Sequence, residues 1–275
     1  MKKHWYQLFV TVFLASGAFE AGAAYPPFKV GLNDFNFTIS SQLSTTNAVK
    51  ARVGYFSRRT SYNPKRELYR VVVPPNYKHT ERFGLLVYMA PFDRPTIPQD
   101  WLGVLAKHRL LIVLPANAGD KRSSADRIRM ALDARYHMPR MYNVDGSRVI
   151  ISGHGGGARL ASVMGVAYPD QFPNTITFMG LLFYKAVPIK GNRQFPPAYT
   201  PDPKMVALAK NNRFLFTSVP ATGTHLETVL CYRRGFKAEG FHDAHYMELA
   251  GNPYLLPPGK TLDKVLSYFQ SPGGP

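Results

Sequence analysis

The chain of 275 residues is 45% hydrophobic and 19% charged, a composition that excludes a disordered protein and suits a globular one with a packed core. Its length allows one large domain or two small ones. With 34 lysines and arginines against 17 aspartates and glutamates, the formal net charge is +17, which favours attraction to anionic surfaces. Because the cations are spread along the chain and no nucleic-acid-binding motif occurs, we expect no specific nucleic-acid recognition.

The first residues have the pattern of a secretory signal peptide. Two lysines precede an apolar stretch over residues 5–19, and the small residues of 21–24 resemble a cleavage site. The apolar stretch is shorter than the ~20 residues that span a bilayer, which disfavours a membrane anchor. We predict a signal peptide over 1–24, a single domain over 25–275, no transmembrane segment after signal removal, and a secreted or periplasmic location. The one cysteine, Cys231, then forms no internal disulfide and is expected to be a buried structural thiol.

The body of the chain alternates between strand and helix patterns. Residues 25–66 are ambiguous: 35–43 and 50–59 alternate enough for strands, or the segment forms a cap. Short continuous apolar runs further on indicate strands that are buried on both faces. These predicted strands are 68–74, 84–91, 110–116, 148–153, 175–180, 213–219 and 245–251. The predicted helices are 98–108, 123–138 ended by Pro139, 157–169, about 224–238 and 259–270.

This alternation predicts βαβ units and therefore the α/β class, with a mainly parallel central sheet and helices on both faces. The proline-rich stretch 186–204 is expected to form a loop over the carboxyl edge of the strands. Ligands of such folds bind at that edge.

The turn over residues 153–157 reads GHGGG and joins a predicted strand to a predicted helix. It formally fits the dinucleotide motif G-x-G-x-x-A. The motif lies past the middle of the chain, however, and no acidic residue ends the following strand. We therefore expect no dinucleotide and no other cofactor.

The segment from Leu68 to Phe269 resembles the bacterial secreted α/β-hydrolases of the esterase and polyhydroxybutyrate-depolymerase-like group. The resemblance is most specific in YNVDGSRVIISGHGGGARLA, residues 142–161. It implies the α/β-hydrolase fold and a Ser-Asp-His triad whose three positions are substituted here. Gly155 stands at the serine, Ala221 or Thr222 at the acid, and Tyr254 at the histidine.

Acyl transfer by this route needs a hydroxyl to attack, an imidazole to take its proton and a carboxylate to orient the imidazole. Gly155 has no side chain, and a phenol such as that of Tyr254 holds its proton at neutral pH and is a poor base. The resemblance therefore implies a catalytically inactive pseudo-hydrolase that acts by binding.

The oxyanion side of the predicted site is retained. The N–H groups of Gly156 and Gly157 open a helix whose dipole favours an anion, Phe92 N–H is a candidate second donor, and His154 borders the pocket. A small anionic ligand with a carboxylate or phosphate is expected to bind there. The alternative is an empty structural turn.

An active carboxylic-ester hydrolase with a relocated triad is the other function considered. Its candidate members are Ser152 and Ser218 as nucleophiles, with His154, His225, His242, Asp243 and His245. The cluster FHDAH, 241–245, resembles a set of metal ligands, but its side chains are expected to diverge along a strand, so no metal site is predicted.

An anionic envelope or host surface is a further predicted partner. The densest basic stretches contain Arg58 and Arg59, and Arg233 and Arg234. The alternative interpretation is a solvated basic surface without a specific partner.

Overall fold

The computed structural model describes residues 29–54, 61–220 and 222–270, so the predicted signal peptide lies outside the described residues. The strands of the main sheet are β1 (Gly31–Asn36), β2 (Leu68–Val73), β3 (Phe83–Met89), β4 (Leu110–Pro115), β5 (Val144–His154), β6 (Asn174–Phe178), β9 (Arg213–Ser218) and β10 (Ala244–Glu248). A small hairpin consists of β7 (Val187–Pro188) and β8 (Gln194–Phe195). The helices are α1 (Thr46–Val53), α2 (Trp101–Lys107), α3 (Ser124–Met141), α4 (Gly156–Ala167), α5 (Pro203–Ala209), α6 (Gly223–Leu230) and α7 (Gly259–Gln270), and α6 continues as the π-helix Cys231–Lys237.

The eight strands follow the order β1-β2-β4-β3-β5-β6-β9-β10. The six strands β4, β3, β5, β6, β9 and β10 are parallel to one another. Strand β2 is antiparallel to both of its neighbours, β1 and β4. The prediction of a mainly parallel α/β sheet is therefore confirmed. All carboxyl ends of the parallel strands meet at one edge, which we call the carboxyl edge.

Side chains that alternate along the strands form one core on each face of the sheet. Val87 and Ile151 belong to the core covered by α1, α3 and α4. Tyr88 belongs to the opposite core, which includes Trp101 of α2 and Leu266 of α7. Both faces are buried because helices cover both, which explains the continuous apolar runs of the central strands. No helix in the described ranges is both long and apolar enough to cross a membrane.

Two local expectations differ from the structure: the strand alternative for residues 50–53, and the end of a helix at Pro139. Residues 50–53 end helix α1 instead of forming a strand, because Thr45 caps the helix through its side chain, which accepts from the Ala48 N–H. Residues 55–60 lie outside the described part. Helix α3 continues through Pro139 to Met141, since a proline so near the end of a helix removes only one of its last hydrogen bonds.

The proline-rich stretch 186–204 also contains more structure than the predicted loop. It includes the hairpin β7–β8 and the first residues of α5. The hairpin packs against the π-helix, where Arg234 Nη1 donates to the Pro188 carbonyl at 2.8 Å. Cys231, at the start of the π-helix, is buried as predicted.

Candidate functional site

Gly155 occupies a sharp turn between β5 and α4 at the carboxyl edge. Its backbone angles are φ 56° and ψ −119°, and its N–H donates to the Phe178 carbonyl at 2.9 Å. A Cβ placed on Gly155 would have the Pro91 Cβ, 4.0 Å away, as its nearest neighbour. The turn therefore has open space where a nucleophile would project, although the positive φ is a strained conformation for any residue with a side chain.

The neighbouring glycines are needed for close packing. A Cβ on Gly157 would lie 1.8 Å from the Met89 carbonyl oxygen, and one on Gly153 would lie 2.5 Å from the Gly157 carbonyl carbon. These glycines let α4 begin directly against the ends of β3 and β5. The helix N-terminus is thereby aimed at the carboxyl edge.

Asp120 brings a carboxylate to this N-terminus. Its N–H donates to the Pro91 carbonyl at 2.9 Å, which holds the loop after β4 beside the loop after β3. Its Oδ1 accepts from Arg127 Nη1 at 3.0 Å. A Cβ on Gly156 would lie only 2.3 Å from that oxygen, so the carboxylate rests on the first residue of α4. Asp120 was not predicted from the sequence, although an acidic residue that follows a buried strand is a signal for this edge.

Arg127 is almost completely buried beneath Asp120, with 4% of its surface exposed. Its Nη2 donates to the Ala90 carbonyl at 3.1 Å. Burial lowers the pKa of Arg127, and the carboxylates of Asp120 and Asp93 oppose this shift. The ion pair with Asp120 thus stabilises the positive charge of the buried Arg127.

The predicted oxyanion residues surround the turn. Phe92 follows Pro91 and is partly exposed, and Gly156 and Gly157 begin α4. His154 is buried at the end of β5. Burial lowers its pKa, while the backbone of Pro253 and the charge of Asp120 raise it, so the imidazole is neutral at pH 7.

The residues at the other triad positions provide no proton relay. Thr222 Oγ1 donates to the Val219 carbonyl at 2.8 Å. Tyr254 projects into solvent with 83% of its surface exposed, and its N–H donates to Asn252 Oδ1 at 2.9 Å. Neither position holds an imidazole or a carboxylate.

The structure separates the candidates for a relocated triad. Ser218 Oγ lies 2.9 Å from His225 Nδ1 and 2.9 Å from Tyr246 Oη, but Ser218 is completely buried. Asp243 Oδ1 and His245 Nε2 are 2.7 Å apart near the amino ends of β9 and β10, the sheet edge opposite to Gly155.

The other candidates, which are His154 described above, Ser152 and His242, join neither pair. Ser152 is buried, and its Oγ has no hydrogen-bond partner among the described residues. The His242 N–H donates to the Lys210 carbonyl. Within residues 29–54, 61–220 and 222–270, no group of three His, Cys, Asp or Glu side chains is placed to hold a metal ion.

A cavity of about 600 Å³ lies beside the turn, between the N-terminal ends of α3 and α4. Its charged lining consists of Asp120, Arg127 and Arg159. Its apolar wall includes Ile128, Leu160 and Val163. A volume of this size suits a small molecule with both a polar group and an apolar part.

No family model and no curated protein matches the sequence. Solved structures do match. Esterase 2 of Thermogutta terrifontis, phosphonylated by sarin, has a TM-score of 0.51 and 15% identity, and the match covers 79% of this chain and 91% of that one. The Pyrococcus horikoshii acylaminoacyl peptidase has a TM-score of 0.52 and 14% identity, over 74% of this chain and 38% of that one. An arylesterase has a TM-score of 0.50 and 10% identity, over 94% of both chains.

The structural neighbours are esterases and serine peptidases, and the chain has their α/β-hydrolase fold. This confirms the fold that the sequence resemblance implies. The chain spans 56% of the length of a thermostable esterase and 38% of that of the peptidase.

Proposed function

We propose that this chain is an exported, non-catalytic α/β-hydrolase-fold protein that binds a small ligand at the carboxyl edge without cleaving it. The observation that carries the proposal is Gly155, where an elbow with open space for a nucleophile has no side chain. The solvent-exposed Tyr254 and the neutral Thr222 support it, because neither replaces the missing base or acid. Export is supported by the signal-peptide pattern of residues 1–24.

Asp120 supports a lack of acyl-transfer activity on independent grounds. Ester hydrolysis develops a negative charge on the substrate oxygen, which hydrolases stabilise with N–H donors near the helix N-terminus. Here a carboxylate rests against Gly156. Two like charges about 4 Å apart repel by about 4 kcal/mol at an effective dielectric constant of 20. Arg127 offsets part of this repulsion, but the residual effect opposes the tetrahedral intermediate.

The experiment is exposure of the purified protein to a fluorophosphonate probe and to p-nitrophenyl esters. We expect no labelled serine and no turnover above that of the Ser218→Ala variant. A ligand would then be sought from the rise in Tm with small amphipathic carboxylates. Stoichiometric labelling of a serine would overturn the proposal.

An ester hydrolase with a relocated site is the second candidate, because Ser218 and His225 are hydrogen bonded as a nucleophile and base would be. Within the described residues, this pair is hydrogen bonded to the Tyr246 hydroxyl and not to a carboxylate. Ser218 would also have to become exposed. Labelling of Ser218 that is lost in His225→Ala would support this candidate against the first.

We also propose that part of the basic surface binds an anionic envelope or host surface. Hairpin β7–β8 and the π-helix present five exposed cations, which we call the basic patch: Lys190, Arg193, Arg233, Arg234 and Lys237. The Arg234 bond to Pro188 joins the two segments, while the nearby Glu239 is already paired with Lys185. Arg58 and Arg59, which were predicted to contribute, lie outside the described residues.

A further inference from the structure

A buried cation beneath the turn has unused hydrogen-bonding capacity. Arg127 is 4% exposed, and two of its nitrogens are bonded, to Asp120 and to the Ala90 carbonyl. Its Nε has no hydrogen-bond partner among the described residues and is itself buried. Guanidinium groups bind carboxylates through several N–H donors. Arg127 can therefore donate a further hydrogen bond to an anion, in addition to the bond that it makes to Asp120.

A second feature points at the same place. Helix α4 is 12 residues long, so its first N–H groups lack intrahelical partners and its dipole favours a negative charge. Gly156 leaves room for an anion there, because any Cβ would overlap the Asp120 carboxylate. One buried arginine therefore donates to this carboxylate, and the N-terminus of α4 lies against it.

We propose that Arg127 and the N-terminus of α4 form a binding site for a small monoanion, a carboxylate, and that the chain's own Asp120 occupies this site as a tethered ligand. This inference rests on the proposed binding function and names its ligand chemistry. An incoming carboxylate replaces Asp120 on the same donors, and the displaced Asp120 side chain turns its charge into solvent, so Arg127 keeps one carboxylate partner. The ligand's apolar part then lies in the adjoining cavity.

The surroundings allow the exchange. The Asp120 side chain is 48% exposed on its outer side and lines the cavity of about 600 Å³ together with Arg127 and Gly156. Asp93 remains beside Arg127, where its Oδ1 accepts the Gly119 N–H at 2.9 Å. Arg159, on the next turn of α4, also lines the cavity and is paired with Glu227.

The test is chemical rescue of Asp120→Ala with formate. The variant leaves Arg127 without its closest counter-ion, and we expect its Tm to fall. Formate at increasing concentration should restore the Tm saturably, by on the order of 4 °C, whereas formamide and chloride at equal concentration should not. Asp170→Ala is the matched control, since it removes a carboxylate paired with Arg52 at the surface, and formate should leave its Tm unchanged.

Equal effects of formate on Asp120→Ala and Asp170→Ala would overturn the inference. If Asp120→Ala does not fold, Asp120→Asn is used instead, because it keeps the side-chain shape. A saturable rise in its Tm with formate would support the anion site, and an unchanged Tm would overturn it. The result is separate from the proposed function. Rescue by formate together with a labelled serine would support the anion site and overturn the non-catalytic binding function. A protein that is neither labelled nor rescued would overturn the anion site and leave the binding function standing.

Discussion

Replacing Gly155 with serine tests the elbow directly. The structure gives the new Cβ no neighbour closer than the Pro91 Cβ at 4.0 Å, so the cost is backbone strain at φ 56°. Such strain is about 1–3 kcal/mol. One kcal/mol lowers the Tm of a domain this large by roughly 2–4 °C. We therefore expect a folded Gly155→Ser variant whose Tm, measured by circular dichroism, is about 2–12 °C lower.

Gly157→Ser is the matched control two residues away. Its Cβ would lie 1.8 Å from the Met89 carbonyl oxygen, a backbone atom that moves only if α4 separates from β3. We expect a loss of more than about 4 kcal/mol or failure to fold. Equal destabilisation by the two substitutions would refute the elbow geometry.

Gly155→Ser should remain inactive towards p-nitrophenyl esters. A serine hydroxyl needs an oriented base, and the hydrogen bonds of the described residues bring none to this turn. Turnover at an ordinary enzymatic rate by this variant alone would show that a base and an oxyanion site are in place. The reasoning from Tyr254, Thr222 and Asp120 would then be wrong.

Two further predictions concern stability and partners. Burial raises the pKa of Asp133 to about 6, although hydrogen bonds from Ser44 and from the Ser41 N–H act to lower it. The folded state therefore binds this proton more tightly than the unfolded state does. As a result, the free energy of unfolding should fall by up to about 3 kcal/mol as pH rises from 4 to 7. Urea titrations should show that Asp133→Asn removes this fall, and an unchanged pH profile would contradict it. Reversing four cations of the basic patch should weaken sedimentation with phosphatidylglycerol vesicles at least tenfold, at ~1 kcal/mol per cation. The control replaces four lysines outside the patch with glutamate: Lys50, Lys65, Lys260 and Lys264. An equal loss of binding in this control would show that binding depends on net charge alone.

The strands at the centre of the sheet were predictable because each is buried on both faces. The apolar runs that begin β3 and β4, at residues 84 and 110, start within one residue of the observed strands. Elements stabilised by capping were harder to predict. Helix α1 begins at the Thr45 cap and buries only Val49 and Val53, while its residues 50–53 alternate as a strand would.

The sequence by itself determined that no hydroxyl projects from Gly155, because side-chain chemistry and the strand–turn–helix pattern are local properties. It did not identify Asp120 and Arg127 as part of the site. Their position depends on the strand order β4-β3-β5, which places the loop after β4 beside the loop after β3 and next to the start of α4. Charges that are distant in sequence meet only when the strands pair, so the tertiary structure decided which ions surround the turn.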